Sequence, residues 1–530
     1  MATSTGTYMH RAITRQLYIL PTDEDQAAAA TPLPDLATAA PEISSDGIEY
    51  SITLRDDAVW DTEEPRVITA EDAERGFKRL CNPARPGNNL DNYIGVIAGM
   101  EEYCDAFREI APDVDSMKEY LEANSITGIE ANGQELTITL EAPANDFESI
   151  LTQVAVAPVP EEILNYLPDS PELRTNWIAS GPYRILSYVA DQRLELERNP
   201  SWSEESDDYR EAYIDGLEVD MSYADAGRVQ RLIESGEVDS YWNQSVPTPD
   251  LQRLMSENDP NLMQFEDGAV NPYIQFNFQS PNNDGALSDP LVRQAFQYAV
   301  NRSAVAQAGG GLEVKFPTYQ ALTEQVFGYD VLDTYATPDD EGDPELAREL
   351  LAEAGYPDGI TVNFVYATGS RYDAYAQVIE ADLRAVGIEV NLIPTPGANV
   401  TSQFTTNAEA TESGAWDITI NSLSPTWVGN GARTMLMPNW YGVGCENSTT
   451  NFTCYSSDEV NSVMEQARTE ADADAAAELW MEVDRLLVED SALVPLITGK
   501  ISLYRSDRLQ NAVVNVGYNN LEPGLVWLDQ

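Results

Sequence analysis

A chain of 530 residues is longer than one hydrophobic core usually serves, so about three domains are expected; 43% hydrophobic and 9% aromatic residues make a globular composition. Acidic residues number 89 against 30 basic ones, a net charge of −59 with only four lysines, Lys78, Lys118, Lys315 and Lys500. That balance excludes nucleic acid, whose phosphates need a basic face, and sets the surface against anionic membranes; it reads as a solvated surface suited to salt or to an exposed location.

The chain begins MATSTGTYMHRAITRQLY, with no apolar signal-peptide core, so the sequence as written carries no export address. No run of about 18 apolar residues follows, and no membrane-spanning segment is expected. SDGIEYSITLRDD alternates Tyr50, Ile52 and Leu54 against polar neighbours, the pattern of a half-buried strand. ITAEDAERGFKRL reads as a helix with Thr69 at its N-cap. GQELTITLEAP alternates again at Leu136, Ile138 and Leu140, and SGPYRILSYVADQRLELERNP reads as a hairpin turning at ADQ.

From about residue 271 the pattern changes. DPLVRQAFQYAVNR places Asp289 as N-cap, Pro290 first in a helix, and an apolar stripe at Leu291, Val292, Ala295, Phe296 and Ala299. DPELARELLAEAGYPDG repeats the device with Asp343, Pro344 and a closing Gly355. A strand (ITVNFVY), a helix (RYDAYAQVIEADLRAVG), a strand (IEVNLI) and a later strand (WDITINSL) follow. Strands alternating with helices predict βαβ units and a mostly parallel sheet, in which ligands gather at the carboxyl ends of strands. Tyr366 and the turn SPTWVGNGARTML, which carries Trp427, lie at such ends.

Catalytic sets are lacking. There is no G-x-S-x-G elbow, the lone histidine His10 leaves no Ser-His-Asp or Cys-His arrangement, and AGGGLEV lacks the lysine and hydroxyl of a phosphate loop. Acids are so abundant that a carboxylate pair carries no information. An enzyme is therefore not expected, and no cofactor is expected. Four cysteines, Cys81, Cys104, Cys445 and Cys454, allow three pairings; the sequence-local one, Cys81 with Cys104 and Cys445 with Cys454, is the simplest. A zinc site lacks C-x-x-C spacing and a second histidine, and paired disulfides imply an oxidising compartment. Aromatics at predicted loops and strand ends (Trp242, Tyr366, Tyr372, Tyr375, Trp427, Trp440 and Tyr441) suit either core packing or a concave ligand site.

Nine segments in order then resemble the family 5 extracellular solute-binding proteins of ABC importers. They are the strand signature from Ala39 to Arg55, AGMEEY, VAPVPEEIL, SGPYRI with ERNPSW, IDGLEV, SGEVD, SDPLVRQAFQYAVNR, ARELLAEAGYPDG and DSALVPL. The resemblance implies an α/β, two-lobed periplasmic-binding-protein-like fold with an extra domain and the ligand enclosed between lobes. Domain I would comprise 1–17, 160–270 and 495–530, domain II 18–159, and domain III 271–494. It further implies a monomeric receptor outside the cytoplasm, periplasmic or lipid-anchored, that passes a small-molecule or peptide ligand to an ABC permease. Relatives carry an export signal and a first strand ahead of the segment matching TSTGTYMHRAITRQLY, which this sequence lacks.

The same resemblance implies site residues. Thr7 and Tyr8 match a segment that pairs with extended ligand backbone. Trp242 and Asn243 follow a ligand-facing loop. Arg371 and Tyr372, with Tyr366 before them, would meet an acidic or polar ligand end. Peptide-binding members often carry a tryptophan soon after the strand matching WDITINS, and an aspartate three residues later that pairs with the peptide amine. Here those positions are Leu423 and Thr426, flanking Ser424, and Trp427 matches a neighbouring aromatic. The missing acid leaves a peptide, an oligosaccharide or another small polar solute as ligand; the lone His10 speaks against nickel.

Overall fold

A computed structural model describes residues 4–23, 25–87, 90–223, 225–368, 371–442, 451–515, 517 and 519–529. It divides into two compact units, Met1–Phe265 with Ile501–Gln530, and Glu266–Lys500, so the chain passes between them at two points.

The first unit opens with α1 (Ser4–Ile13). Met9, Ala12 and Ile13 fall at helical spacing and are buried with Ala179, Tyr183 and Leu196. A four-stranded antiparallel sheet follows, built from β1 (Glu42–Ile43), β2 (Glu49–Thr53), β3 (Ile129–Asn132) and β4 (Glu135–Thr139) in the order β1-β2-β4-β3. Tyr50 pairs with Ile138 and Ile52 with Leu136, which puts both predicted apolar alternations on one buried face. The helix Ala70–Lys78 starts where Thr69 predicts, and the Asp72 carboxylate accepts the Thr69 backbone N–H at 3.2 Å. The predicted hairpin is β5 (Tyr183–Val189) and β6 (Arg193–Arg198), extended by β7 (Gly216–Asp220) on the far side of β6.

Cys81 and Cys104 are joined in a disulfide, with Cα atoms 4.8 Å apart. The other predicted pairing involves Cys445, which lies outside the described residues. Replacing Cys81 and Cys104 together by alanine is expected to cost about 3 kcal/mol in urea unfolding, because the bridge closes a loop of 23 residues' separation and so restricts the unfolded chain.

A buried charge network ties this unit together. Asp35 accepts from Arg15 Nε at 2.7 Å, from Arg210 Nη2 at 3.0 Å and from the Gln16 backbone at 2.9 Å. Arg210 also reaches Asp207 at 3.1 Å, and Arg11 reaches Glu522 near the C-terminus at 2.9 Å. All six charged side chains are buried.

The second unit is built on β8 (Val270–Phe276), β10 (Ile360–Thr368), β11 (Ile388–Pro396), β12 (Ile418–Leu423) and β13 (Leu493–Pro495), in the order β11-β10-β12-β8-β13. Between them stand α2 (Pro290–Ala299), the short strand β9 (Lys315–Pro317), α3 (Pro344–Glu353), α4 (Tyr372–Ala385) and α5 (Ala432–Trp440), and β14 (Ile497–Tyr504) follows. β10 runs parallel to β11 and β12; β8 is antiparallel to β12 and to β13. Four strands therefore share one direction and β8 alone is reversed, which qualifies the parallel sheet the sequence predicts. The N-caps fall as expected: Asp289 accepts from the Leu291 N–H and Asp343 from the Leu346 N–H. Val292, Ala295, Phe296 and Ala299 pack into the core beneath the sheet.

Asp484 is a buried acid that accepts the backbone N–H groups of Ala321 and Leu322, both at 2.9 Å. Burial pushes its carboxyl up to about 6, against the pull of those bonds. An acid raised on folding binds its proton more tightly in the native state, so its ionisation destabilises the fold as pH rises from about 4 to 6. Acidification from pH 7 to 5 at constant ionic strength is thus expected to raise the urea midpoint, by up to about 2 kcal/mol from this group. Asp484→Asn should lose that part of the gain; an unchanged pH dependence in the variant would refute the assignment.

Candidate functional site

The carboxyl ends of β10, β11 and β12 define one edge of the second unit's sheet. Val270 at the start of β8 pairs with Leu423 at the end of β12, so the reversed strand begins at the same edge. Beyond β12 the chain turns through residues 424–431 into α5. The turn is fixed from two sides. Gly429 donates to the Gln325 carbonyl and accepts from the Phe327 N–H, each at 2.8 Å, while the Thr426 N–H donates to Thr434 Oγ1 at 2.9 Å. Glycine is required at 431, where a Cβ would lie 2.0 Å from the Trp427 carbonyl oxygen. Leu423 belongs to the core with Met435, Leu436 and Trp440. Trp427 is buried to 1% exposure, its Nε1 has no hydrogen-bond partner, and the Arg433 guanidinium stands 5.8 Å from its ring centroid. Ser424 is exposed and Thr426 half-buried.

After β10 the chain enters α4, whose N-cap is Arg371. Tyr372 donates from its hydroxyl to Asn271 Oδ1 at 3.0 Å, joining the start of α4 to the start of β8. Around this joint stand three residues that the sequence reading did not single out as site residues. Asn271 and Asp267 are buried, and Lys315 in β9 is buried with its Nζ 3.9 Å from Asp267 Oδ2 and 3.4 Å from the Lys500 carbonyl oxygen. Burial raises the Asp267 carboxyl, with Lys315 and Arg371 opposing, and burial lowers the Lys315 ammonium. Space for the lysine comes from Gly499, paired with it across β9 and β14; a Cβ there would meet Lys315 Cδ at 2.8 Å. The signal in the sequence was a lysine held between Val314 and Phe316 in a chain with four lysines, but Asp267 lies 48 positions away and no periodicity links the two.

The other predicted residues lie elsewhere. Tyr366 is in the sheet core beside Phe364. In the first unit, Trp242 packs partly buried against the α1 core and its carbonyl accepts from Asn520 Nδ2 at 2.8 Å, while Asn243 is exposed. Thr7 and Tyr8 fall within α1, so their backbone is helical and not the extended segment that would pair with a ligand strand.

These features, a mixed sheet with a polar strand-end edge inside one of two compact α/β units, define the class of a solute-binding protein. Residues 31–442 match the family "Bacterial extracellular solute-binding proteins, family 5 Middle", and the chain belongs to it. That is a family of binding receptors and not of enzymes. Among its relatives, the periplasmic oligopeptide-binding protein OppA of Salmonella typhimurium strain LT2 is 24% identical over 487 residues, covering 89% of this chain and 80% of the relative. The dipeptide-binding protein DppE of Bacillus subtilis strain 168 is 22% identical over 506 residues, 92% and 82% of the two chains. The structure of clavulanic acid biosynthesis oligopeptide binding protein 2 superposes with a TM-score of 0.87 at 22% identity, over 100% of this chain and 92% of the other. Haemophilus influenzae OppA, solved with the peptide RPPGFSPFR, gives a TM-score of 0.74 at 17% identity, over 98% and 94%.

Proposed function

We propose that this protein is an extracytoplasmic receptor that captures a peptide and delivers it to an ABC import permease. The observation that carries the reading is the relationship to OppA over 89% of the chain. We take the receptor to act as a monomer, held in the periplasm or by a lipid anchor, and its first unit to comprise domains I and II of the sequence reading. In the second unit the ligand meets Arg371, Tyr372, Ser424 and Thr426, with Tyr366, Leu423 and Trp427 as the layer that supports them; Trp242 and Asn243 are the first unit's candidates. Thr426 offers a hydroxyl where peptide binders often place an acid, so the peptide amine is received by another group or by solvent.

The test is native mass spectrometry of the purified protein, followed by denaturation and identification of what is released. Peptides are expected. A released oligosaccharide or other neutral solute would overturn the peptide assignment and make Thr426 the matching adaptation.

A further inference from the structure

Lys315 is the least satisfied cation of the second unit's strand-end edge. It is 5% exposed, yet its three N–H donors meet only the Lys500 carbonyl oxygen at 3.4 Å, with Asp267 beyond hydrogen-bonding distance at 3.9 Å. Close by, Tyr375 in the first turn of α4 is fully buried and its hydroxyl has no hydrogen-bond partner. The two side chains converge on Gly309: a Cβ built there would lie 2.7 Å from the Tyr375 hydroxyl and 3.2 Å from Lys315 Cγ. Arg371 caps the same helix without a side-chain capping bond, is exposed, and its charge reaches Asp267, Lys315, Tyr372 and Tyr375. With Lys315 and Arg371 positive and Asp267 negative, the locus carries one net positive charge in a protein of net charge −59. The N-terminal end of the 14-residue helix α4 adds its own positive potential.

A buried ammonium and a buried hydroxyl without adequate partners each cost free energy unless a ligand completes them. We infer that Lys315, Arg371 and the Tyr375 hydroxyl form a subsite for the C-terminal carboxylate of the bound peptide. The inference rests on the peptide-receptor reading and deepens it by orienting the ligand: its anionic end lies at the start of α4. A carboxylate there takes two charge-assisted bonds and relieves the unpartnered phenol. Selectivity accordingly comes from the ligand's acid terminus, consistent with the neutral Thr426 at the position where relatives often read the amine.

The probe is a library of short peptides made in two isotopically distinguishable forms, free acid and C-terminal amide, offered in competition to the ligand-stripped protein. Bound material is read by native mass spectrometry, and selected pairs by calorimetry. The free acids are expected to win by at least about tenfold, and Arg371→Gln, at an exposed position, to abolish that preference by weakening only the acids. Lys315→Met should act in the same direction, and an unchanged melting temperature would separate this effect from misfolding. Equal binding of acid and amide by the native protein overturns the inference alone. Binding that depends on a free amine but not on the carboxylate overturns it too. Failure of every peptide in both forms overturns the receptor's peptide assignment, and the inference with it.

Discussion

Asp35→Ala is expected to destabilise the protein by about 3–5 kcal/mol, the largest loss of any single substitution outside the hydrophobic core. Asp35 serves both Arg15 and Arg210, and all three side chains are at most 1% exposed. With Asp207 they form a neutral set of two cations and two anions. Removing Asp35 leaves two buried guanidinium groups on one carboxylate, with Arg15 only 3.7 Å from Asp207. Burial alone would raise the Asp35 carboxyl, but Arg15 and Arg210 override it and hold it well below the usual carboxylate range. Its stabilisation is therefore complete above the unfolded pKa of about 4 and is lost as pH falls below that value. Urea unfolding at pH 7 reads the loss directly. Asp35→Ala should also flatten the decline in stability below pH 4. Adding Arg15→Met to Asp35→Ala should recover part of the loss by restoring charge balance, a non-additive outcome that a double-mutant cycle detects. A loss under about 1 kcal/mol, or strict additivity, would show that the network is solvated in solution.

How much of this was legible beforehand differs by kind of feature. Local chemistry was plain: Thr69, Asp289 and Asp343 open helices because short polar side chains satisfy free N–H groups, and Pro290 and Pro344 sit where a missing N–H costs nothing. The strand alternation at Tyr50, Ile52, Leu136 and Ile138 fixed a buried face because a one-residue slip would expose it. The reversal of β8 was not legible. Every residue of that strand is buried, and a strand apolar or buried on both faces carries no mark of direction. α1 was misjudged for another reason. Its threonines and tyrosine favour extended structure, but Met9, Ala12 and Ile13 can reach one core only from a helix, and packing outweighed propensity. At the site, the resemblance supplied Arg371 and Tyr372, while Asp267, Lys315 and Asn271 emerged only once the chain was folded. Pairings such as Arg15 with Asp35, or Lys315 with Asp267, join residues from different elements. In a chain with 89 acids, sequence offers no way to choose which acid a given cation meets.

Trp427→Ala is expected to cost about 3–5 kcal/mol, because it empties a fully buried indole from a turn that cannot collapse around the space. The turn is pinned by Gly429 to the strand-like segment at 325–327 and by Thr426 to Thr434, so the surrounding backbone cannot relax into the cavity. Trp427→Phe should cost less than half as much. It keeps most of the apolar ring and removes an indole N–H that has no partner, offsetting part of the lost volume. The pair of variants also decides what the ring is for. A supporting residue acts on the ligand only through the position of Ser424 and Thr426 on the turn. Trp427→Phe should then leave peptide affinity within about twofold of native while the melting temperature falls. A ring that touches the ligand predicts the reverse, a loss of about tenfold in affinity with little change in stability, since a smaller ring would leave the ligand short of contact. Because the indole is 1% exposed with an arginine over its face, the first outcome is the one its burial requires, and the second would mean that ligand binding brings Trp427 out of the core.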